Sequence, residues 1–320
     1  MILVTGATGL VGSQICRELK QKGLPYRALR RKSSQIPNDL LEVDWVEGDI
    51  LDFESILDAL KDISTVIHAA AVISFYKGDY ELMETTNVHG TRNIVDASLT
   101  ASVKKIIHIS SVAALGRPIG INHIDENTQW MESSLNSYYG ETKYLAELEV
   151  WRAMEEGLQT VIVNPSVILG TGDWTKGSTR LFKYAWDEHR YFPGGAFNYV
   201  DNRDISNVVC QLAQSNHNGE RFILNAGSTT YESFFKLVGE RFGKKAPTRK
   251  VSESLYFLAI LMESVKSFFT RTKPIITRES LISTKKDYHF DASKIKKLLN
   301  FAFKDLEDTV EWVIAGLQKE

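Results

Sequence analysis

Several features that would place this chain in a specialised class are scarce. Its 320 residues include two cysteines, Cys16 and Cys210, and both fall in segments that we expect to be helical. Packed free thiols are a simpler interpretation than a disulfide, and they suit a reducing compartment. The formal net charge of -2 offers no basic surface to a nucleic-acid backbone, so we expect no nucleic-acid partner.

Long apolar runs are scarce as well. The longest, residues 255–262, is far shorter than the ~20 residues that a membrane-spanning helix needs. The first predicted strand begins at residue 2, so we expect no signal peptide and a cytoplasmic protein without a membrane span. With 43% hydrophobic residues the chain can still bury a large core, as one big domain or two moderate ones.

A glycine-rich turn lies near the start of the sequence. Residues 2–4 predict a strand and residues 14–20 a helix, with three glycines spaced three apart at the junction. One glycine permits the tight turn, one lets the backbone approach a pyrophosphate, and one lets the helix pack close to its strand. The helix N-terminus offers N–H groups to the phosphates. We expect cofactor contacts from Gly6, Thr8, Gly9, Leu10, Val11 and Gly12.

The end of the second predicted strand bears on the choice of cofactor. Arg30 and Arg31 follow this strand, and no acidic residue occurs between Pro25 and Pro37. NAD-binding folds carry a carboxylate here for the ribose hydroxyls, whereas arginine accommodates the 2′-phosphate of NADP. The pattern therefore favours NADP, with NAD as the alternative; a solvated basic loop is the interpretation without function.

Strands continue to alternate with helical segments along the first half of the chain. This order predicts right-handed crossovers and a doubly wound, mostly parallel α/β sheet of the Rossmann type, covered by helices on both faces. The strand at residues 65–68 ends in Ala69, Ala70 and Ala71, whose small side chains would let a cofactor lie against the backbone. His68 has no partner in sequence, so we assign it a structural role.

The residues with the clearest chemical signature are Tyr139 and Lys143. Their spacing of four places both side chains on one face of a helix. A phenol has an ordinary pKa of about 10, and a neighbouring cation favours its ionised form, which brings the proton donor nearer to working pH. Such a pair also occurs by chance on solvated helices, but here it follows the glycine turn and a serine pair, Ser110 and Ser111, at the end of a predicted strand.

These motifs, G-x-x-G-x-x-G, S-S-x-x-x-x-G and Y-x-x-x-K, occur in the order and approximate spacing typical of one family. The chain resembles the extended short-chain dehydrogenase/reductases of the NAD-dependent epimerase/dehydratase family. Within it, the arginine-tipped second strand and residues 273–277 are similar to dihydroflavonol 4-reductase and 3β-hydroxysteroid dehydrogenase relatives.

The resemblance implies a role for each matching residue. Tyr139 would be the general acid/base, Lys143 its pKa tuner and a ribose ligand, and Ser111 the hydroxyl that polarises a substrate carbonyl. We prefer Ser111 to Ser110 because it stands five residues before Gly116, where the family places this hydroxyl. Asn87 would support the site, Asp49 and Ile50 would lie at the adenine edge, and Pro165, Ser166 and Val167 would lie against the nicotinamide.

The resemblance also implies a division of the chain. Residues 1–165 and 198–226 would form the cofactor-binding domain, and residues 166–197 and 227–320 a smaller C-terminal substrate lobe. An amphipathic pattern over residues 255–269 predicts a lobe helix that covers the pocket. Family members often pair through the helix that holds Tyr139, so a homodimer is an expectation.

The predicted activity is hydride transfer between NADP(H) and a small, largely apolar ketone or aldehyde. Aromatic residues are frequent after Gly170, and a few of them in a pocket wall would suit rings and hydrocarbon. Two alternatives stay open: a nucleotide-sugar epimerase or dehydratase with tightly held NAD, and a non-catalytic NADP-sensing protein. For the first, the cations available to a diphosphate are Lys176, Arg180, Lys183 and Arg203.

Overall fold

The computed structural model describes residues 1–252 and 288–318. The predictions for residues 255–262, 255–269 and 273–277 lie outside this range. The strands are β1 (Ile2–Thr5), β2 (Tyr26–Arg30), β3 (Asp44–Glu47), β4 (Thr65–His68), β5 (Lys105–Ile109), β6 (His123–Ile124), β7 (Gln159–Pro165), β8 (Val167–Leu169), β9 (Tyr191–Phe192), β10 (Ala196–Asp201), β11 (Glu220–Leu224), β12 (Gly227–Thr230), β13 (Arg249–Lys250) and β14 (His289–Phe290).

Helices connect most of these strands. They are α1 (Leu10–Gln21), α2 (Phe53–Ala59), α3 (Tyr80–Met83), α4 (Gly90–Thr100), α5 (Tyr138–Glu155), α6 (Arg180–Trp186), α7 (Asn202–Gln214), α8 (Tyr231–Phe242), α9 (Ser293–Leu299) and α10 (Leu306–Leu317). A π-helical turn, Glu84–His89, precedes α4, and a short 3-10 turn, Val112–Leu115, follows β5. In the described part of the chain, no helix has both the length and the apolar character that crossing a membrane requires.

Seven strands form one sheet in the order β11-β7-β5-β4-β1-β2-β3. Every neighbouring pair is parallel, so the predicted Rossmann sheet is confirmed and its described part is entirely parallel. The strand order reverses between β1 and β4, where the connections leave toward opposite faces. In open parallel sheets, a ligand crevice forms at this reversal, outside the carboxyl ends of the strands.

Each face of the sheet has its own apolar core. On one face α1 and α7 pack together, and both free cysteines, Cys16 and Cys210, lie fully buried in that core as expected. On the other face the buried residues Ile56 of α2, Val95 of α4 and Ala153 of α5 contribute to a second core against the sheet. The sheet is therefore doubly wound, because apolar helix faces cover it on both sides.

A second, smaller sheet lies beside the first. Its order is β12-β10-β8, with β10 parallel to β8 and antiparallel to β12. The helices α6, α8 and α10 enclose a third core around Phe182, Phe234 and Val313. The sequence did not predict this sheet, in which β10 crosses the predicted boundary at residue 198 and pairs with β8 and β12. The predicted domain boundaries otherwise stay a prediction.

The close contact between α1 and the turn before it requires a glycine at position 12. A Cβ atom at Gly12 would lie 2.2 Å from the carbonyl oxygen of Gly6, so Gly12→Ala forces the helix away from the turn. Overpacking of this kind costs about 1–3 kcal/mol. We expect a lower thermal midpoint for Gly12→Ala than for the control Gly9→Ala, whose Cβ would meet the same oxygen at 3.2 Å. Equal midpoints for the two variants would contradict this account.

Candidate active site

The glycine turn lies at the strand reversal with its backbone exposed to the crevice. Gly6 has a φ of +65°, and a Cβ there would lie 2.6 Å from the backbone nitrogen of Ala70, so only glycine fits between β1 and the end of β4. Helix α1 begins at Leu10 after Gly9, which has no side chain to cap it, and its first turn carries no acidic residue. Its first N–H groups can therefore bind a phosphate, as the sequence predicts.

Neighbouring loops close on this turn. The amide of Asn202, at the start of α7, donates to the carbonyl oxygen of Leu10 at 2.8 Å. The Leu10 side chain would contact a Cβ at Gly170, the residue after β8. Thr8 and Val11 are half-buried beside them. The structure thus brings the predicted glycine-turn residues together with the first residues of the lobe.

Ala69 and Ala70 lie half-buried after β4, and Ala71 is exposed. Asn87, in the π-helical turn, holds the next residue in place: its amide accepts from the Val72 N–H at 2.8 Å and donates to the Val72 oxygen at 3.0 Å. It also donates to the hydroxyl of Thr142 on α5 at 3.1 Å. Asn87 therefore ties the loop after β4 to α5, which suits the supporting role predicted for it.

Tyr139 and Ser111 meet at the start of α5. A Cβ at Gly140 would lie 2.7 Å from the carbonyl oxygen of Ala113, so this glycine lets α5 approach the turn after β5. The Ser111 side chain hydrogen-bonds the Tyr139 phenol, which is 8% exposed. Ser110 instead donates to Glu147. This division supports the choice of Ser111 over Ser110.

The pKa of Tyr139 differs from the expectation. Burial raises it to about 12 because the phenolate loses solvation, and the hydrogen bond from Ser111 opposes this only in part. The described contacts of Lys143 are not to the phenol: its Nζ donates to the Ile109 oxygen at 2.9 Å and lies 3.3 Å from Nε2 of His108. Lys143 shares the buried face of α5 with Tyr139, as predicted, but the expected lowering of the Tyr139 pKa is absent.

Lys143 is itself deeply buried, with 1% of its surface exposed. Burial lowers its pKa to about 8, and the charge of Glu147, one helical turn further along α5, opposes that shift. A lysine so placed carries its proton near neutral pH and loses it at moderately alkaline pH. Its ribose contact stays a prediction.

Glu147 anchors a polar network to which the sequence analysis gave no role. Its fully buried carboxylate accepts hydrogen bonds from Ser110 at 2.5 Å and Asn164 at 2.6 Å, and it pairs with the guanidinium of Arg221. Asn164 also donates to the Ser111 oxygen at 2.8 Å. The sequence feature that could have identified Glu147 is its spacing of four from Lys143. This spacing places Glu147 on the face of the helix that carries Tyr139.

Arg30, the first of the two arginines expected to bind a 2′-phosphate, already has a partner. Its guanidinium lies 2.6 Å from Glu47 and donates to the Lys32 oxygen at 3.3 Å, whereas Arg31 is exposed. No acidic residue lies next to Arg30 in the chain. The carboxylate comes instead from β3, the neighbouring strand, on which Glu47 is the residue opposite Arg30.

The remaining predicted cofactor residues lie at the same edge of the sheet. Asp49 accepts from the Leu51 N–H at 3.0 Å, and Ile50 packs on Gly90, where a Cβ would lie 2.6 Å from its side chain. Pro165 ends β7 and Val167 begins β8. Between them the Ser166 hydroxyl is buried with no hydrogen-bond partner in the described part of the chain.

Most aromatic residues considered for a pocket wall belong to cores instead. Phe182, Phe197 and Tyr199 are buried in the lobe. Phe75 differs: it is 40% exposed, and its ring lies edge-on to Tyr139 with centroids 6.4 Å apart. Tyr138, the adjacent phenol on α5, packs against the ring of Tyr80 with centroids 5.7 Å apart.

Residues 2–188 match the profile of the NAD-dependent epimerase/dehydratase family. A sterol demethylase protein B from Methylococcus capsulatus is 30% identical over 305 residues, 93% of this chain and 92% of the relative. A putative dihydroflavonol 4-reductase from Synechocystis is 29% identical, over 97% of this chain and 93% of the relative. Both relatives are similar to this chain along nearly its whole length.

A solved structure shows the same fold. The UDP-glucose 4-epimerase of Thermotoga maritima, crystallised with UDP-glucose, superposes with a TM-score of 0.80 over 99% of this chain and 98% of its own at 21% identity. Family and relatives are NAD(P)-dependent oxidoreductases and epimerases, so the protein is an enzyme of this superfamily. The glycine turn, the buried Tyr139 and the profile match agree: the chain belongs to the NAD-dependent epimerase/dehydratase family.

Proposed function

We propose that the protein is an NADP(H)-dependent oxidoreductase that interconverts a small, largely apolar ketone or aldehyde and its alcohol. The observation that carries this proposal is the hydrogen-bonded pair of Ser111 and Tyr139 at the carboxyl edge of the sheet. Two hydroxyls side by side, within reach of the same crevice as the glycine turn, suit the oxygen of a carbonyl substrate.

The crevice has features that fit a dinucleotide. The backbone at Gly6 and Gly12 is too crowded for a Cβ, while the first N–H groups of α1 carry no side-chain cap. The Ser166 hydroxyl, which has no hydrogen-bond partner among the described residues, suits the amide of a nicotinamide ring. When bound, the cofactor would supply or accept the hydride. Lys143 would hold its ribose, and Asp49 and Ile50 would lie at the adenine.

Tyr139 and Ser111 would have different roles in the reductive direction. Because its pKa is about 12, Tyr139 keeps its proton at neutral pH and can donate it to the developing alkoxide. The Ser111 hydroxyl has one proton, which would turn from the phenol to the substrate oxygen as charge develops there, and then back to the phenolate left on Tyr139. Burial of the phenol excludes water, which strengthens both hydrogen bonds.

Two observations support an apolar substrate. Phe75 offers the ring next to Tyr139. Three of the four cations considered for a nucleotide diphosphate are paired with carboxylates: Lys176 with Asp173 at 2.8 Å, Lys183 with Asp187 at 2.8 Å and Arg203 with Asp201 at 2.7 Å. The names of the sterol and dihydroflavonol relatives point the same way.

A nucleotide-sugar epimerase is the second candidate, favoured by the full-length fold match to an enzyme solved with UDP-glucose.

The activity test separates these candidates. We expect NADPH oxidation with alicyclic or aromatic ketones, and no binding of uridine or thymidine diphosphates in calorimetry, because the paired cations leave little charge for a diphosphate. Micromolar binding of either nucleotide, or stoichiometric NAD retained through purification, would favour the epimerase.

Tyr139→Phe tests the acid. Turnover should fall by about a hundred- to ten-thousandfold, because the change removes the transferable proton and keeps the ring. NADPH affinity should be unchanged. The control is Tyr138→Phe, the adjacent phenol, for which we expect near-normal turnover. Near-normal turnover of Tyr139→Phe would remove this residue from the role.

Replacing Arg30 and Arg31 with alanine tests the cofactor. The unmutated protein should bind NADPH more tightly than NADH, and the double variant should lose most of that preference, since each charge-assisted hydrogen bond to a phosphate is worth about 1.5–3 kcal/mol. Glu47→Gln is the matched variant: it frees Arg30 and removes a negative charge, so NADPH should bind more tightly and NADH equally well. Equal dissociation constants for both cofactors in the unmutated protein would refute the NADP assignment.

A further inference from the structure

A buried imidazole beside Lys143 has no role in the mechanism described above. His108 lies on β5, three residues before Ser111, and is completely buried. Its Nε2 is 3.3 Å from the ammonium nitrogen of Lys143. Its Nδ1 is buried and has no hydrogen-bond partner in the described residues.

The protonation of His108 follows from its surroundings. Burial and the charge of Lys143 hold its pKa well below the ordinary value, so the ring is neutral at physiological pH. A neutral imidazole has one donor and one acceptor nitrogen. Because the ammonium of Lys143 can only donate, Nε2 must accept and Nδ1 must carry the proton.

This arrangement has a stability cost. A buried N–H without a partner destabilises the folded state, and an apolar side chain at position 108 would avoid that penalty. In return, the imidazole provides Nε2 as a hydrogen-bond acceptor for the ammonium of Lys143. The ring is held from behind by His68, with centroids 5.3 Å apart, and His68 is itself fixed by Thr5 at 2.7 Å and Thr91 at 3.0 Å.

The other groups around Lys143 do not replace the hydrogen bond from its ammonium to Nε2 of His108. The Ile109 oxygen accepts from the same ammonium along β5. Glu147 acts from α5 through its charge, and Arg221 of β11 neutralises that charge. His68, from β4, stays neutral because burial lowers its pKa to about 3. His108 and Ile109 thus supply the acceptors that keep a buried ammonium both charged and in one orientation.

We propose that His108 is a positioning residue for Lys143: its neutral ring accepts a hydrogen bond from the ammonium and holds it, charged, toward the cofactor crevice. The inference rests on the proposed function, since it acts through the role of Lys143 in binding the cofactor. Without the acceptor, Lys143 should lose its proton at lower pH, and NADPH binding and turnover should decline at lower pH with it.

The test compares His108→Gln with His108→Asn. The glutamine oxygen can reach the position of Nε2, whereas the asparagine amide reaches only that of Nδ1. NADPH affinity and turnover are measured against pH on both sides of the Lys143 pKa of about 8. Loss of a hydrogen bond to a charged group, worth about 1.5–3 kcal/mol, corresponds to roughly one to two pKa units, so the alkaline decline should move down by about one to two pH units in His108→Asn. His108→Gln should keep the profile of the unmutated protein.

A third variant, His108→Met, keeps the outcome decisive. Methionine matches the length of glutamine but has no oxygen acceptor. His108→Met therefore replaces His108→Asn if the latter does not fold, and its alkaline decline should move down by the same amount. Unshifted profiles in the asparagine and methionine variants, with normal NADPH binding by the unmutated protein, would overturn the role of His108 alone. A glutamine variant that shifts as far as the other two would overturn it as well. Absence of NADPH binding by the unmutated protein at every pH would overturn the proposed function and this inference together.

Discussion

The site depends on the burial of charge along one face of α5. Lys143 and Glu147 are both almost completely buried, and a charge removed from water must be paired or hydrogen-bonded. Their partners come from three strands of the sheet: Ile109 and Ser110 on or after β5, Asn164 on β7 and Arg221 on β11. These partners on three strands fix the position of the helix against the sheet. That placement puts Tyr139 beside Ser111.

A second constraint is steric and fixes the cofactor side. At the strand reversal, the turn after β1 and the end of β4 approach so closely that Gly6 has no room for a Cβ. The helix that follows is therefore aimed along the crevice with its first N–H groups free. Asn87 joins this half to the other, because it bonds both the loop after β4 and Thr142 on α5. The crevice at the strand reversal and the Ser111–Tyr139 pair are thus parts of one packed unit.

Local patterns predicted much of this architecture. Strand periodicity, the glycine spacing and the Tyr139–Lys143 spacing depend on residues close in the chain, and the structure has them where they were expected. Pairs across the sheet were not predictable in this way. Arg30 and Glu47 are 17 residues apart and Glu147 and Arg221 are 74 apart, so their meeting depends on strand register and order. The small sheet was missed for the same reason, since the pairing of β10 with β8 and β12 also depends on strand register and order.

We propose that the site transfers a hydride from a dissociable cofactor to a substrate carbon. The most direct measurement uses NADPH that carries deuterium at the transferable C4 position, together with an alicyclic or aromatic ketone. The account predicts one deuterium on the carbinol carbon of the alcohol for each NADP released. An alcohol without deuterium, or a cofactor that stays bound and keeps its label while a nucleotide sugar is isomerised, would contradict it.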